Sequence, residues 1–138
     1  MPDVNLVAVF VAAVVSFMIG WAWYSPMLFG NIWMKESGIK MPGKMTPELK
    51  KQMMRSMTLG FVFAVLVNYI FARFLGSMNV YSAGDVAQLA FWIWLGFTLP
   101  VVMNGYLWEG KSFTLALIAA GQTFVSLLVG GVIVSAMS

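Results

Sequence analysis

The eight basic and five acidic residues of this chain are spaced so that four long stretches carry no charge: residues 4–34, 56–72, 86–108 and 112–138. These runs hold 31, 17, 23 and 27 residues. A helix needs about 20 mostly apolar residues to cross a hydrocarbon core of about 30 Å, so each run holds one span and none comfortably holds two. Hydrophobic residues make up 61% of the chain and charged residues 9%, against about 45–50% and about 25% in an average soluble domain. A chain so composed cannot cover a water-exposed surface, and its apolar and aromatic richness excludes disorder. The expected fold is an all-α integral membrane four-helix bundle, with residues 1–138 forming a single transmembrane domain.

Helix signals refine the spans to about 4–25, 56–75, 86–105 and 112–136. Asn5 or Asp3 can cap the first span, and Pro26 cannot continue it because it lacks an N–H. That hydrophobic start is expected to be a true span, since a signal peptide needs a basic leading region and a small-residue cleavage site. Thr46-Pro47-Glu48 reads as an N-cap, an N1 proline and an acidic first turn. No breaker follows until Gly76, so residues 47–75 form one long helix whose first two turns, with Glu48, Lys50, Lys51, Gln52 and Arg55, stand in water. Asp85 is the expected cap of the third span, and Pro100 should kink it. Ser112 can cap the fourth. Short connections make sequential helices antiparallel neighbours.

Orientation follows from the cations. The basic loop at about 26–55 carries Lys35, Lys40, Lys44, Lys50, Lys51 and Arg55, and Lys111 adds a seventh on the same side. Arg73 alone lies toward the other side. Basic residues concentrate on the cytoplasmic face, so the N- and C-termini are expected outside the cytoplasmic membrane. The same basic segment can attract anionic lipid heads; nucleic acid is not an expected partner of a short, membrane-tethered stretch.

The chemical inventory is thin. With no Cys and no His, thiolate sites, iron–sulfur clusters and the usual zinc or haem ligands have no donors. The acidic residues are Asp3, Glu36, Glu48, Asp85 and Glu109, and none lies deep in a span, where a proton-coupled carrier normally keeps one. No metal, cofactor or catalytic residue is expected.

Four features can carry packing or binding. Ala8, Ala12, Ser16 and Gly20 recur every four residues, which lines one helix face with small side chains and lets another helix approach. That row serves packing within the bundle or assembly between copies. Span four offers Ala116/Ala120, Ser126/Gly130 and Gly131/Ser135 as a looser set. Trp21, Trp23, Tyr24, Phe29 and Trp33 gather at the cytoplasmic end of span one, with Tyr106 and Trp108 at the same level. They form an interfacial belt or a pocket for an amphipathic ligand. Asn68, Gln88, Asn104 and Gln122 are amides that need partners in hydrocarbon. Asn104, beside the carbonyl freed by Pro100, joins Trp23, Tyr24 and Trp33 as a candidate ligand-binding residue. Arg73 can snorkel and stack on Tyr69 one turn earlier.

Gly20, Trp23, Tyr24, Ser25, Pro26, Phe29, Gly30 and Trp33 make the pattern G-x-x-WYSP-x-x-FG-x-x-W. In this motif and in its span layout, the chain resembles a bacterial family of small four-span membrane proteins, the domain of unknown function 1761 family. The resemblance implies a multi-pass bacterial membrane protein and no known activity, so it transfers no catalytic residue. Physically, Ser25-Pro26 stops the helix and Gly30 permits a tight turn. Phe29 and Trp33 can then fold back as a short re-entrant or surface helix.

The residues fit best a non-enzymatic accessory subunit or oligomeric scaffold that holds lipid, another amphipathic ligand or a partner membrane protein, as a homo-oligomer or a subunit of a larger complex. The alternative is a small oligomeric transporter or channel. A membrane enzyme acting through Tyr24, Ser25 or Glu109 is the weakest of the three.

Overall fold

A computed structural model describes residues 4–25, 27–37, 46–110 and 112–137. Its elements in chain order are α1 (Leu6–Trp23), α2 (Gly30–Ser37), α3 (Pro47–Ser77), α4 (Ala83–Ile93), a π-helical turn (Trp94–Thr98), α5 (Leu99–Trp108) and α6 (Phe113–Met137). Among the described residues, four helical segments are long and apolar enough to cross a membrane: α1, α3, the continuous stretch Ala83–Trp108, and α6. The chain is a multi-pass, all-helical membrane protein.

Side-chain caps set most of the helix starts. Asn5 Oδ1 accepts from the amides of Val7 and Ala8, Thr46 Oγ1 from Leu49 and Ser112 Oγ from Leu115. These bonds satisfy amides that have no intrahelical acceptor. The third span departs from expectation. Ser82, not Asp85, is its cap: Ser82 Oγ accepts from the Asp85 amide at 3.2 Å, which places Asp85 in the first turn, where a carboxylate complements the helix dipole.

α3 also runs past Gly76 and closes with a Schellman motif. The Val80 amide donates to Leu75 O (2.9 Å) and the Asn79 amide to Gly76 O (3.3 Å). Asn79 takes φ 55°, the left-handed position usually given to glycine and tolerated by asparagine. The 31 residues of α3 span about 46 Å at about 1.5 Å per residue, and side chains from Lys50 to Gly60 are exposed.

Pro100 perturbs the third span without breaking it. Proline has no N–H for the carbonyl four residues back, Gly96, and its ring crowds that carbonyl. The chain takes up the misfit in the π turn Trp94–Thr98, which adds a residue to one turn.

α6 is the hub: α1, α3, α4 and α5 all pack on it, and α1 packs also on α3. The antiparallel register of α1 on α6 is pinned along its length. Asn5 Nδ2 donates to Met137 O at 2.9 Å, Ser16 Oγ to Ser126 O at 3.4 Å and Trp23 Nε1 to Ile118 O at 2.9 Å. The expectation that consecutive spans are neighbours holds for the first pair and the last pair. Spans two and three converge near their connecting turn, where Phe71 and Val86 both press on Gly131; beyond that the third span leans on α6. The hydrophobic core sits in the half of the bundle that carries the termini, with Val9, Phe71, Leu75, Val86, Leu127 and Val134 at its centre.

Candidate functional site

The aromatic motif folds into a corner. After α1, the Ser25 carbonyl accepts from the amides of Leu28 (3.1 Å) and Gly30 (2.8 Å), and the Phe29 amide returns to Trp23 O (3.0 Å). Ser25 Oγ donates to Ala22 O at 2.6 Å, occupying a carbonyl of the last turn. A Cβ on residue 30 would stand 2.6 Å from the Ser25 carbonyl carbon, so this close backbone approach demands glycine. Phe29 tilts against Trp23 with ring centroids 4.9 Å apart, and α2 leads away from the turn as a short helix.

Trp23 is the corner's anchor. Its indole N–H is committed to Ile118 O, and its six-membered ring lies 3.0 Å from where a Cβ on Gly121 would be. Gly121 thus makes the seat for the indole on α6. Gly20, one turn earlier, leaves similar room for the Gln122 amide. Of the four residues expected to hold a ligand, the structure brings Trp23 and Tyr24 together in this corner. Trp33 belongs to α2, with its side chain outside the described residues, as is Pro26. Asn104 lies elsewhere, exposed on α5.

A second constellation lies at mid-depth, where α1, α3 and α6 meet. Asn68 Nδ2 donates to Ala64 O (2.8 Å) and to Ser16 Oγ (3.4 Å). Ser16 Oγ donates to Ser126 O, and Gln122 Nε2 to Ser126 Oγ at 2.9 Å. Asn68 is 3% exposed and Ser16 7%. Gly130 faces the Asn68 amide so closely that a Cβ there would collide with Oδ1. No buried side-chain nitrogen or oxygen lacks a partner among the described residues. The expected packing row is part of this seam: Ala8, Ala12 and Ser16 are buried inside the bundle, and Gly20 is half-buried against Gln122.

A further anchor gives no sign of itself in the sequence. Trp94 Nε1 donates to Ala120 O (2.9 Å) and Thr123 Oγ1 (3.2 Å), and its ring meets Phe124 edge-on at 5.1 Å. Trp23 and Trp94 thus fasten α1 and the third span to backbone carbonyls of α6 only two residues apart. A carbonyl acceptor belongs to every residue type, so no side-chain pattern announces it. The Arg73–Tyr69 contact matches the expected spacing: Nη1 donates to the phenolic oxygen at 2.7 Å, and the guanidinium carbon stands 5.6 Å from the ring centroid.

No curated protein and no solved structure matches the chain. Residues 7–135 match the family model described as a protein of unknown function, DUF1761. The match takes in all four candidate spans and the aromatic corner, and the chain belongs to the DUF1761 family.

Proposed function

We propose that this protein is a non-enzymatic membrane module that assembles with copies of itself through its third span. The observation that carries this reading is the one-sided packing of that span: only 11% of its most apolar window is buried inside the bundle, against 22–28% for the other three. Trp92, Phe97, Val101 and Trp108 are between 61% and 83% exposed. The five-residue step from Trp92 to Phe97 crosses the π turn, whose repeat is longer than an α turn, and the later steps follow α spacing, so these residues share one stripe. Gln88 and Asn104 are exposed on the same span. Amides at membrane depth favour a hydrogen-bonding partner on a neighbouring helix over lipid.

The chain has no cysteine, so single introduced thiols report contacts without background. Phe97→Cys and Val101→Cys are expected to form disulfide-linked dimers in native membranes, and Leu128→Cys, on half-buried α6, is not. Absence of dimers from all stripe positions, with particles extracted in native lipid weighing as a single chain, refutes the assembly. Lysines and arginines set the orientation in this reading. Lys35, Lys50, Lys51 and Arg55 mark the cytoplasmic face of a bacterial inner membrane, and the termini lie outside. An active periplasmic reporter at the C-terminus is expected, and an inactive one reverses the topology.

A transport reading draws on the mid-depth chain Asn68–Ser16–Ser126–Gln122, a polar thread through the seam of α1, α3 and α6. Solute flux in vesicles carrying the protein, lost with Ser16→Ala, would favour transport over the scaffold.

A further inference from the structure

The early turns of α3 leave three thioethers uncovered. The run Met53-Met54-Arg55-Ser56-Met57 lies wholly within this helix, and its three methionines are between 43% and 60% exposed. On a helix, residues three and four apart are surface neighbours, with Cβ atoms about 5–6 Å apart. Met57 is therefore a neighbour of both Met53 and Met54, which flank it one turn earlier. A methionine side chain is unbranched, with three rotatable bonds. Three sulfurs from one turn can thus converge on a single point beside Met57.

A lipid-facing role does not account for this placement. Gly60, Asn68, Phe71 and Leu75 mark the face that α3 turns toward the bundle. A Cβ on Gly60 would lie 3.8 Å from the Phe17 ring, and the other three residues are buried. Met53 and Met57 precede Gly60 by seven and three residues, which puts them on the same face, with Met54 at its edge. They continue the inward stripe into a section where every side chain from Lys50 to Gly60 is exposed. Large, polarizable groups therefore stand bare on the side of α3 that elsewhere is covered.

The donor chemistry is restrictive. The chain has no Cys and no His, and the described residues hold no cluster of carboxylates able to bind a metal ion. The expectation that no metal is held counted thiol, imidazole and carboxylate donors; thioether sulfur is a separate class. It is neutral and soft, and such ligands select Cu(I) over harder ions. Lys50, Lys51 and Arg55 stand beside the methionines, and uncharged sulfurs offer nothing there to offset the charge of a divalent ion.

We propose that Met53, Met54 and Met57 form a binding site for a soft monovalent cation, Cu(I) or its redox-inert counterpart Ag(I), with three thioether ligands from one helical turn. These ligands carry no proton, so the ion displaces none. Affinity is then constant through the pH range in which thiolate and imidazole sites lose their metal. No residue of the third span takes part, so this inference stands or falls apart from the assembly proposed above.

The test uses the full chain in detergent micelles with carbon-13 in the methionine methyl groups, titrated with Ag(I) and, under anaerobic reducing conditions, with Cu(I). Free methionine is present in excess, so that isolated thioethers do not score. The methyl resonances of Met53, Met54 and Met57 are expected to shift together and to saturate at one ion per chain, while those of the remaining methionines stay in place. X-ray absorption should show only sulfur around Cu(I). Met53→Leu, Met54→Leu and Met57→Leu should each raise the half-saturating concentration by about tenfold or more, since even the loss of an outer-shell partner costs a metal site about that much. Met78→Leu, past the far end of α3, should leave it unchanged. Leucine conserves volume at these exposed positions, and the wild-type resonances decide the question even if a variant fails to fold. Shifts spread over all methionines overturn the proposal, as does a titration unaltered in the triple leucine variant or weakened equally by Met78→Leu. Nitrogen or oxygen in the first shell, or an affinity that falls as the solution is acidified, overturns it too.

Discussion

Adding one methyl group at Gly130 tests how the three-helix junction is built. A Cβ there would overlap Asn68 Oδ1 and stand 3.2 Å from Asn68 Cγ and 3.3 Å from Ser16 Oγ. The amide cannot swing aside freely, because Nδ2 is held by Ala64 O and Ser16 Oγ and the residue is 3% exposed. α6 must therefore back away from α3, or Asn68 must give up its bonds. Overpacking of this kind costs about 1–3 kcal/mol, less whatever alanine gains over glycine in helix propensity, up to about 1 kcal/mol. Gly130→Ala is expected to destabilise by about 1–2 kcal/mol on these terms. In an Asn68→Ala background the obstruction is gone, and the same change should be neutral or stabilising. Asn68→Ala alone should cost about 1 kcal/mol or less through the interhelical bond, because membrane-embedded bonds average about 0.6 kcal/mol and the 3.4 Å link to Ser16 is long. The assay is a double-mutant cycle on unfolding free energies in mixed micelles, with Gly84→Ala, which meets nothing within 4 Å, as the control. A Gly130→Ala cost that is absent, or equal in both backgrounds, would refute the steric account.

Trp94→Phe removes the indole donor to Ala120 O and Thr123 Oγ1 and should lower stability by about 1 kcal/mol, whereas the exposed Trp92→Phe should leave the melting temperature unchanged. Ser82→Ala should cost about 1 kcal/mol as a lost cap, with Asp85→Ala well below that; the reverse order in thermal unfolding would restore Asp85 as the cap. Asn79→Val forces a β-branched residue into φ 55°, at a cost of about 1–2 kcal/mol, while Asn79→Gly should be neutral or stabilising. Pro100→Ala removes the cause of the π turn, so regular α geometry should return and rotate Phe97 relative to Val101; cross-linking patterns from Cys at 97 and 92 would no longer coincide on one stripe.

The sequence by itself determined the spans and most of their ends. Hydrocarbon admits few charges, so the uncharged runs could only be helices of bilayer length, and Asn5, Thr46 and Ser112 cap where local chemistry says they should. Arg73 and Tyr69 met because four residues bring side chains together on one helix face. The aromatic motif was legible as a helix stop, and Gly30 as its hinge. Which helices touch was decided by the tertiary structure. In a span where nearly every residue is apolar, the hydrophobic pattern no longer distinguishes inside from outside, because lipid is as apolar as a core. Small residues and buried carbonyls take over that task. Gly121 seats Trp23, Gly130 admits Asn68, and backbone oxygens of Ile118 and Ala120 accept the two indoles. Glycines announce only that something approaches closely, and carbonyls announce nothing. For that reason α6 as hub and the bare third span became visible only when the helices were placed in space.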